Sequence, residues 1–237
     1  MFEVDRRHGV ARMAQDGARW LSTSWDGGYR RADAVYNLTV PEGFERTDLD
    51  AYREQRLADA GFATGPALLT GVEMANARYA RSGPVTVLAT AGVSNPAVLP
   101  MGEDDAADGE AAGPASGETD DGWRPGTVNL IVGAHRALDD GALATLLATA
   151  VEAKAATLMD VAGVPGTTSD AALVGCVPDA SVAEFAGSAT EVGTATRACV
   201  RDAVRVSLAA RYDDGPPAPA EAPYGVVTDR QTDVFQP

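Results

Sequence analysis

The sequence predicts a layered α/β fold of the α+β kind, in which mixed β-sheets carry helices packed outside. Three observations predict it. Thr127 to Val132 is a near-continuous apolar run, as a strand buried on both faces requires. A helical pattern follows from about Asp140 to Val161, with Leu143, Leu147, Ala150, Lys154, Leu158 and Val161 recurring at three- and four-residue steps. Ala171 to Val177 then reads as a further strand, so the order is strand, turn, helix, strand. Apolar residues make up 45% of the 237-residue chain, which is ample for the core of one domain or of one domain with an insertion.

The remaining elements follow in order. Arg19 to Ser24 and Ala32 to Val40 are short apolar segments on either side of Asp26-Gly27-Gly28, which predicts two strands around a tight turn. Asp48 to Ala60 places Leu49, Tyr52, Leu57 and Ala60 at roughly helical spacing. Ala67 to Val72 and Val85 to Ala91 are strand candidates, the second running into the turn cluster Gly92-Val93-Ser94-Asn95-Pro96. Residues 102–125 are acidic and rich in Gly, Ala and Pro, so they bury too little to stay ordered and read as a solvated insertion. Gly163 and Pro165 end the long helix, and a last helix runs from about Thr194 to Arg211 with Arg197, Arg201 and Arg205 in one row. The expected organisation is therefore one domain over 1–212, with a Pro- and Asp-rich, poorly ordered tail over 213–237.

Composition narrows the function. The chain carries 34 Asp and Glu against 19 Lys and Arg, and 22 of the acids are Asp. Such a surface repels phosphate backbones and anionic lipid, so neither nucleic acid nor a membrane is an expected partner. Asp-rich, Lys-poor composition is that of a protein adapted to molar salt, where screening removes the mutual repulsion of dense carboxylates. The N-terminus has no apolar stretch of signal-peptide type, which makes a cytoplasmic protein the expectation. Cys176 and Cys199 lack C-x-x-C spacing, and His8 and His135 are the only histidines, so no protein-held metal is expected. No P-loop, G-x-G-x-x-G or G-x-S-x-G is present.

Lys154 is the only lysine, against 18 arginines, and it falls within the apolar stripe of its helix. Guanidinium is planar and permanently charged, so a chain that keeps one inward lysine has a use for a compact, deprotonatable amine. Gly126-Thr127-Val128-Asn129 offers a hydroxyl nucleophile with an amide two residues on, facing the same way along a strand. A threonine hydroxyl needs an adjacent base before it attacks a carbonyl. The candidates are Lys154 and, were the chain cut after Gly126, the α-amine of Thr127. Plainer roles exist for each residue: Thr127 as a β-branched strand residue, Lys154 as a stem reaching water, Glu152 as a solvated helix residue, Asp170 and Asn95 as turn residues.

Taken together these blocks resemble the adenosylcobinamide amidohydrolases of archaeal and bacterial corrinoid salvage. The resemblance runs from about Trp20 to Arg211 and rests on Thr90-Ala91-Gly92-Val93-Ser94-Asn95, on Gly126 to Val132, and on Leu138, Gly141-Ala142-Leu143 and Glu152-Ala153-Lys154. The Asp26-Gly27-Gly28 turn is similar to the family's Asn-Gly-Gly. Pro165-Gly166-Thr167-Thr168-Ser169-Asp170 departs from a family-like Thr-Gly-Thr-Gly-Thr-Asp, and Gly187-Ser188-Ala189-Thr190 lacks the histidine of the later motif.

The resemblance implies an amidohydrolase that cuts the amide joining aminopropanol to a corrin propionate, giving adenosylcobyric acid. On this reading Thr127, Lys154, Asn129 and Glu152 are the candidate catalytic residues and Thr90, Asn95, Asp170 and Asp26 the candidate substrate contacts. The partner would be a corrinoid small molecule; no cofactor is implied, since cobalt enters only with the substrate, and a homo-oligomer stays open. A related peptide or acyl-amide hydrolase with a Thr nucleophile, or a corrinoid-binding protein without catalysis, is the alternative. A more distant similarity to self-processing aminopeptidases and ornithine acetyltransferases suggests an αββα sandwich.

Overall fold

The structure is a computed structural model, and it describes residues 1–101, 126–178, 181–222 and 224–236. The insertion expected at 102–125 lies outside the described residues. In chain order the elements are β1 (Glu3–Arg7), β2 (Val10–Ala14), β3 (Arg19–Ser22), β4 (Gly28–Arg31), β5 (Ala34–Thr39), α1 (Leu49–Asp59), β6 (Ala67–Thr70), β7 (Arg78–Ser82), β8 (Val85–Ala91) and β9 (Ala97–Val98). Then follow β10 (Val128–Ala134), α2 (Asp140–Ala162), β11 (Ala171–Cys176), α3 (Glu191–Arg211) and β12 (Val226–Val227).

Two mixed sheets stack face to face between helices. The smaller has the order β1-β2-β5-β6, the larger β4-β3-β11-β10-β8-β7. Alternation along each strand sets the layers. Ala11, Met13, Val35 and Leu68 of the small sheet meet Trp20, Leu88, Ile131 and Leu173 of the large one. On the outer face of the large sheet, Val128, Leu130, Val132 and Val174 pack against Leu143, Leu146, Ala150 and Leu158 of α2 and Cys199, Val200 and Val204 of α3. On the outer face of the small sheet, Val10, Tyr36 and Leu38 cover Leu57 of α1. The arrangement is an αββα sandwich.

Glycines let the sheets close. Gly133 and Gly175 are register partners on β10 and β11. A Cβ at Gly133 would meet the Phe2 ring at 2.6 Å, and one at Gly175 would meet the Trp20 ring at 2.2 Å. Phe2 and Trp20 pack edge to face, with ring centroids 5.5 Å apart. Each is fully buried, and such burial contributes roughly 1.5–3 kcal/mol per large side chain.

The strands expected at 19–24 and 32–40 do form, but they do not pair with each other. β3 pairs with β4 and β11 in the large sheet, whereas β5 pairs with β2 and β6 in the small one. The Asp26-Gly27-Gly28 turn thus joins β3 to β4, and the chain changes sheet only afterwards. Helix α2 starts on Asp139, whose carboxylate accepts from Ala142 N at 2.7 Å, and ends on left-handed Gly163 (φ 69°). Helix α3 begins three residues earlier than expected, because Thr190 caps Gly193 N at 3.0 Å. Gly193 is required there, since a Cβ would meet Gly187 O at 2.0 Å. Beyond Tyr212, Val226–Val227 pairs in parallel with Ala97–Val98.

Candidate active site

β10 and β11 are parallel, so their N-terminal ends lie side by side, and antiparallel β8 ends next to them. Three loops meet there and are hydrogen-bonded together. Gly92 N donates to Thr127 O (3.1 Å), Thr168 N to Asn95 O (3.1 Å) and Ala97 N to Gly166 O (2.9 Å). Gly126 is wedged so tightly that a Cβ would lie 2.5 Å from both Ser94 N and Asn95 N. The sequence blocks around Asn95, Thr127 and Asp170 therefore form one surface.

Asp170 is its hub. Oδ1 accepts from Val128 N at 2.9 Å and from the Thr167 hydroxyl at 2.5 Å. Oδ2 accepts from Thr167 N at 3.1 Å and from the Lys154 ammonium, with which it forms an ion pair. Four donors satisfy about all the lone-pair sites a carboxylate has, which is what allows the charge to be nearly buried, its side chain only 14% exposed and that of Lys154 9%. Gly166 has no room for a side chain: a Cβ would meet Asp170 Oδ2 at 2.7 Å and Lys154 Nζ at 3.1 Å. Lys154 Nζ is thus held by the Asp170 carboxylate, and no hydrogen bond joins it to Thr127 among the described residues.

Thr127 lies just before β10 and is buried. Its hydroxyl is 3.3 Å from that of Ser169, which also donates to Gly126 O at 3.4 Å. Ser169 and Asp170 open into a cleft of about 490 Å³ whose other walls include Trp25, Phe44, Leu49, Leu68 and Leu69. The cleft thus pairs an apolar wall with a few convergent polar groups, the composition of a small-molecule site.

Asn129 faces the layer between the sheets. Its amide donates to Asn37 Oδ1 at 3.0 Å and to Leu69 O at 2.8 Å, and Asn37 in turn donates to Thr90 Oγ1 at 2.8 Å. Leu69 O can only accept, which fixes the amide's orientation. Both Asn129 donors are committed, while its buried Oδ1 has no hydrogen-bond partner among the described residues. Asn129 is therefore built to receive a hydrogen bond here.

Two expected site residues stand apart. Glu152 is on the exposed side of α2 and pairs with Arg197 on α3 at 2.6 Å. Asp26 sits on the β3–β4 turn, paired with Arg30 and 3.9 Å from Arg53. Ser169 and Asn37 belong to the site without having been singled out from sequence. A serine in a Gly-Thr-Thr-Ser turn carries no distinguishing signal, but an Asn between Tyr36 and Leu38 in the largely apolar Ala34–Thr39 strand does. No group of three His, Cys, Asp or Glu side chains is placed to hold a metal among the described residues.

The family profile of adenosylcobinamide amidohydrolases matches residues 2–216. The chain belongs to the adenosylcobinamide amidohydrolase family. It is accordingly an enzyme, a hydrolase acting on an amide. One relative, the adenosylcobinamide amidohydrolase of Halobacterium salinarum, is 51% identical over the whole of both chains. The Methanosarcina mazei adenosylcobinamide amidohydrolase is 26% identical over 81% of this chain and 90% of its own. Among solved structures, the PH0078 protein of Pyrococcus horikoshii aligns over 87% of this chain and 78% of its own, with 10% identity and a TM-score of 0.41.

Proposed function

We propose that this enzyme hydrolyses the amide joining aminopropanol to the corrin propionate of adenosylcobinamide, releasing adenosylcobyric acid, and that Thr127 supplies the attacking oxygen. The substrate follows from family membership over 2–216. The observation that carries the residue assignment is the Thr127–Ser169 hydroxyl pair, 3.3 Å apart, in which Ser169 lines the cleft and Thr127 is buried behind it. Thr127 Oγ forms a bond to the amide carbon, and its proton passes through Ser169 to the departing nitrogen. The C–N bond breaks, aminopropanol leaves, and water hydrolyses the resulting ester to give the acid and restore the hydroxyl. We assign the oxyanion to Asn95, on the loop whose Gly92 N bonds Thr127 O. The Lys154–Asp170 pair holds the 166–170 turn against the start of β10 and so sets where Ser169 stands.

The reaction as written calls on no cofactor, the cobalt arriving with the substrate. We place the enzyme in the cytoplasm; two thiols that form no disulfide suit that compartment. The test is incubation of the purified protein with adenosylcobinamide at molar salt. Equimolar adenosylcobyric acid and aminopropanol are expected, and unchanged substrate would refute the reading.

A further inference from the structure

A second, larger cleft of about 760 Å³ opens on the other side of the 92–95 loop. Ser94, Thr39, Tyr52, Glu73 and Arg211 are among its walls. The loop that carries Ser94 is tied to Thr127, Gly92 N donating to Thr127 O at 3.1 Å, and the Arg211 guanidinium lies against Gly92. A Cβ at Gly92 would meet Arg211 Nε and Cζ at 3.2 Å. Glycine at 92 therefore makes room for the guanidinium and for Val72, whose Cγ2 such a Cβ would meet at 3.0 Å.

Arg211 is half-buried and makes no ion pair among the described residues. On the same helix Arg197, Arg201 and Arg205 are all paired with carboxylates. Its own neighbour Tyr212 has its ring centroid 5.4 Å from the guanidinium, and the Tyr212 hydroxyl accepts from Val93 N at 3.1 Å. The loop and the guanidinium are thus held in fixed relation. Arg56, also at this cleft, spends donors on Thr39 O, Tyr52 Oη and His8 O, whereas Arg211 makes no hydrogen bond among the described residues.

We propose that Arg211 is a substrate-binding residue: its fork donates to carbonyl oxygens of the amide side chains that are not cut, seating the corrin rim in the larger cleft while the scissile arm crosses the Ser94–Gly126 ridge to Thr127. This rests on the corrinoid reading above. A macrocycle rimmed with amides presents many acceptors and no anion, and guanidinium is the side chain that bonds planar acceptors in pairs. A cleft of this size is within the range that encloses a large small-molecule ligand.

The test is steady-state kinetics on adenosylcobinamide at molar salt, with affinity for adenosylcobyric acid measured alongside. Arg211→Ala is expected to raise KM about tenfold or more, with a parallel loss of product affinity and kcat within about threefold. Arg211→Lys, which keeps charge and most of the stem, should fold in any case and give a smaller rise in KM. Arg205→Ala, on the same helix but away from both clefts, should leave KM unchanged. An unchanged KM in folded Arg211→Lys and Arg211→Ala would overturn the assignment, as would a fall in kcat alone. Wild-type protein that leaves adenosylcobinamide intact would instead refute the function, a different outcome from an active wild type with an indifferent Arg211.

Discussion

Lys154, on the inward stripe of α2, and Asp170, in the turn before β11, form a nearly buried ion pair in which the carboxylate also binds Val128 N at the start of β10. One carboxylate thereby ties a helix, a turn and the strand end that carries Thr127. Removing one partner of such a pair leaves an uncompensated charge, a cost of about 3–5 kcal/mol. Lys154→Met is expected to lower the thermal midpoint strongly, and the Lys154→Met/Asp170→Asn double variant to recover part of the loss. Additive losses in a double-mutant cycle would show that the two residues are not coupled. Lys154→Arg keeps the charge, but the 166–170 turn offers little space: Nζ already lies 3.1 Å from where a Gly166 Cβ would stand. A folded protein with a large loss of turnover is the expected result, and normal turnover would reduce Lys154 to a buried charge of no catalytic consequence.

Thr127 and Ser169 separate by their substitutions. Thr127→Ala should lower kcat by at least about a thousandfold, whereas Thr127→Ser keeps a hydroxyl and part of the activity. Ser169→Ala should cost about a hundredfold, the scale of a lost proton relay. Intact mass should give a single full-length species, because Thr127 O and Gly126 O are both held in backbone and side-chain hydrogen bonds. Full activity in Thr127→Ala would end its assignment as nucleophile. Two fragments divided after Gly126 would make the α-amine of Thr127 the base.

The central βαβ unit was legible because its hydrophobic periods are long and pure: β10 and β11 are buried on both faces, and α2 runs 23 residues between an Asp cap and a Gly stop. The polar strands were not. β1 and β2 turn through His8 and Gly9, both at positive φ, in a two-residue hairpin. Asn-Gly or Asp-Gly would have announced that turn, and His-Gly does not. Sheet partners were illegible for another reason: period tells which face a residue shows but not which strand lies beside it. At the site, residue type singled out Thr127, Lys154 and Asp170, yet the pairing of Lys154 with Asp170 joins an α2 side chain to a turn 16 residues on, a contact that helical spacing cannot reveal. Glu152, two residues from Lys154, lies off the buried face for the reason periodicity does give, since i and i+2 on a helix do not face each other.

Burial pushes the Cys199 thiol up to about 11 from its ordinary 9, with Asp202 adding in the same direction. The unfolded chain then loses its proton first as pH rises. The contribution is fully present below pH 9 and is lost between about pH 9 and 11, amounting to at most about 3 kcal/mol. Denaturant midpoints measured across that window should fall more steeply for wild type than for Cys199→Ala. Parallel curves would show that the thiol does not contribute to alkaline unfolding.

Salt dependence follows from a formal net charge of −15 spread over a small domain. Several of its acids already have arginine partners, as in Arg197–Glu152 and Arg205–Asp160, but these pairs are solvent-exposed and contribute about 0–1 kcal/mol each. They cannot offset the repulsion among the remaining carboxylates, which grows as screening fails: the Debye length rises from about 3 Å at 1 M to about 10 Å at 0.1 M. The 34 acids therefore oppose folding most at low salt. The thermal midpoint should fall by several degrees or more between 1 M and 0.1 M KCl. Raising sucrose at 0.1 M KCl, which favours burial without screening charge, should restore less of it than the salt does. A midpoint that stays in place across the salt series would show that the acidic surface is not an adaptation to high ionic strength.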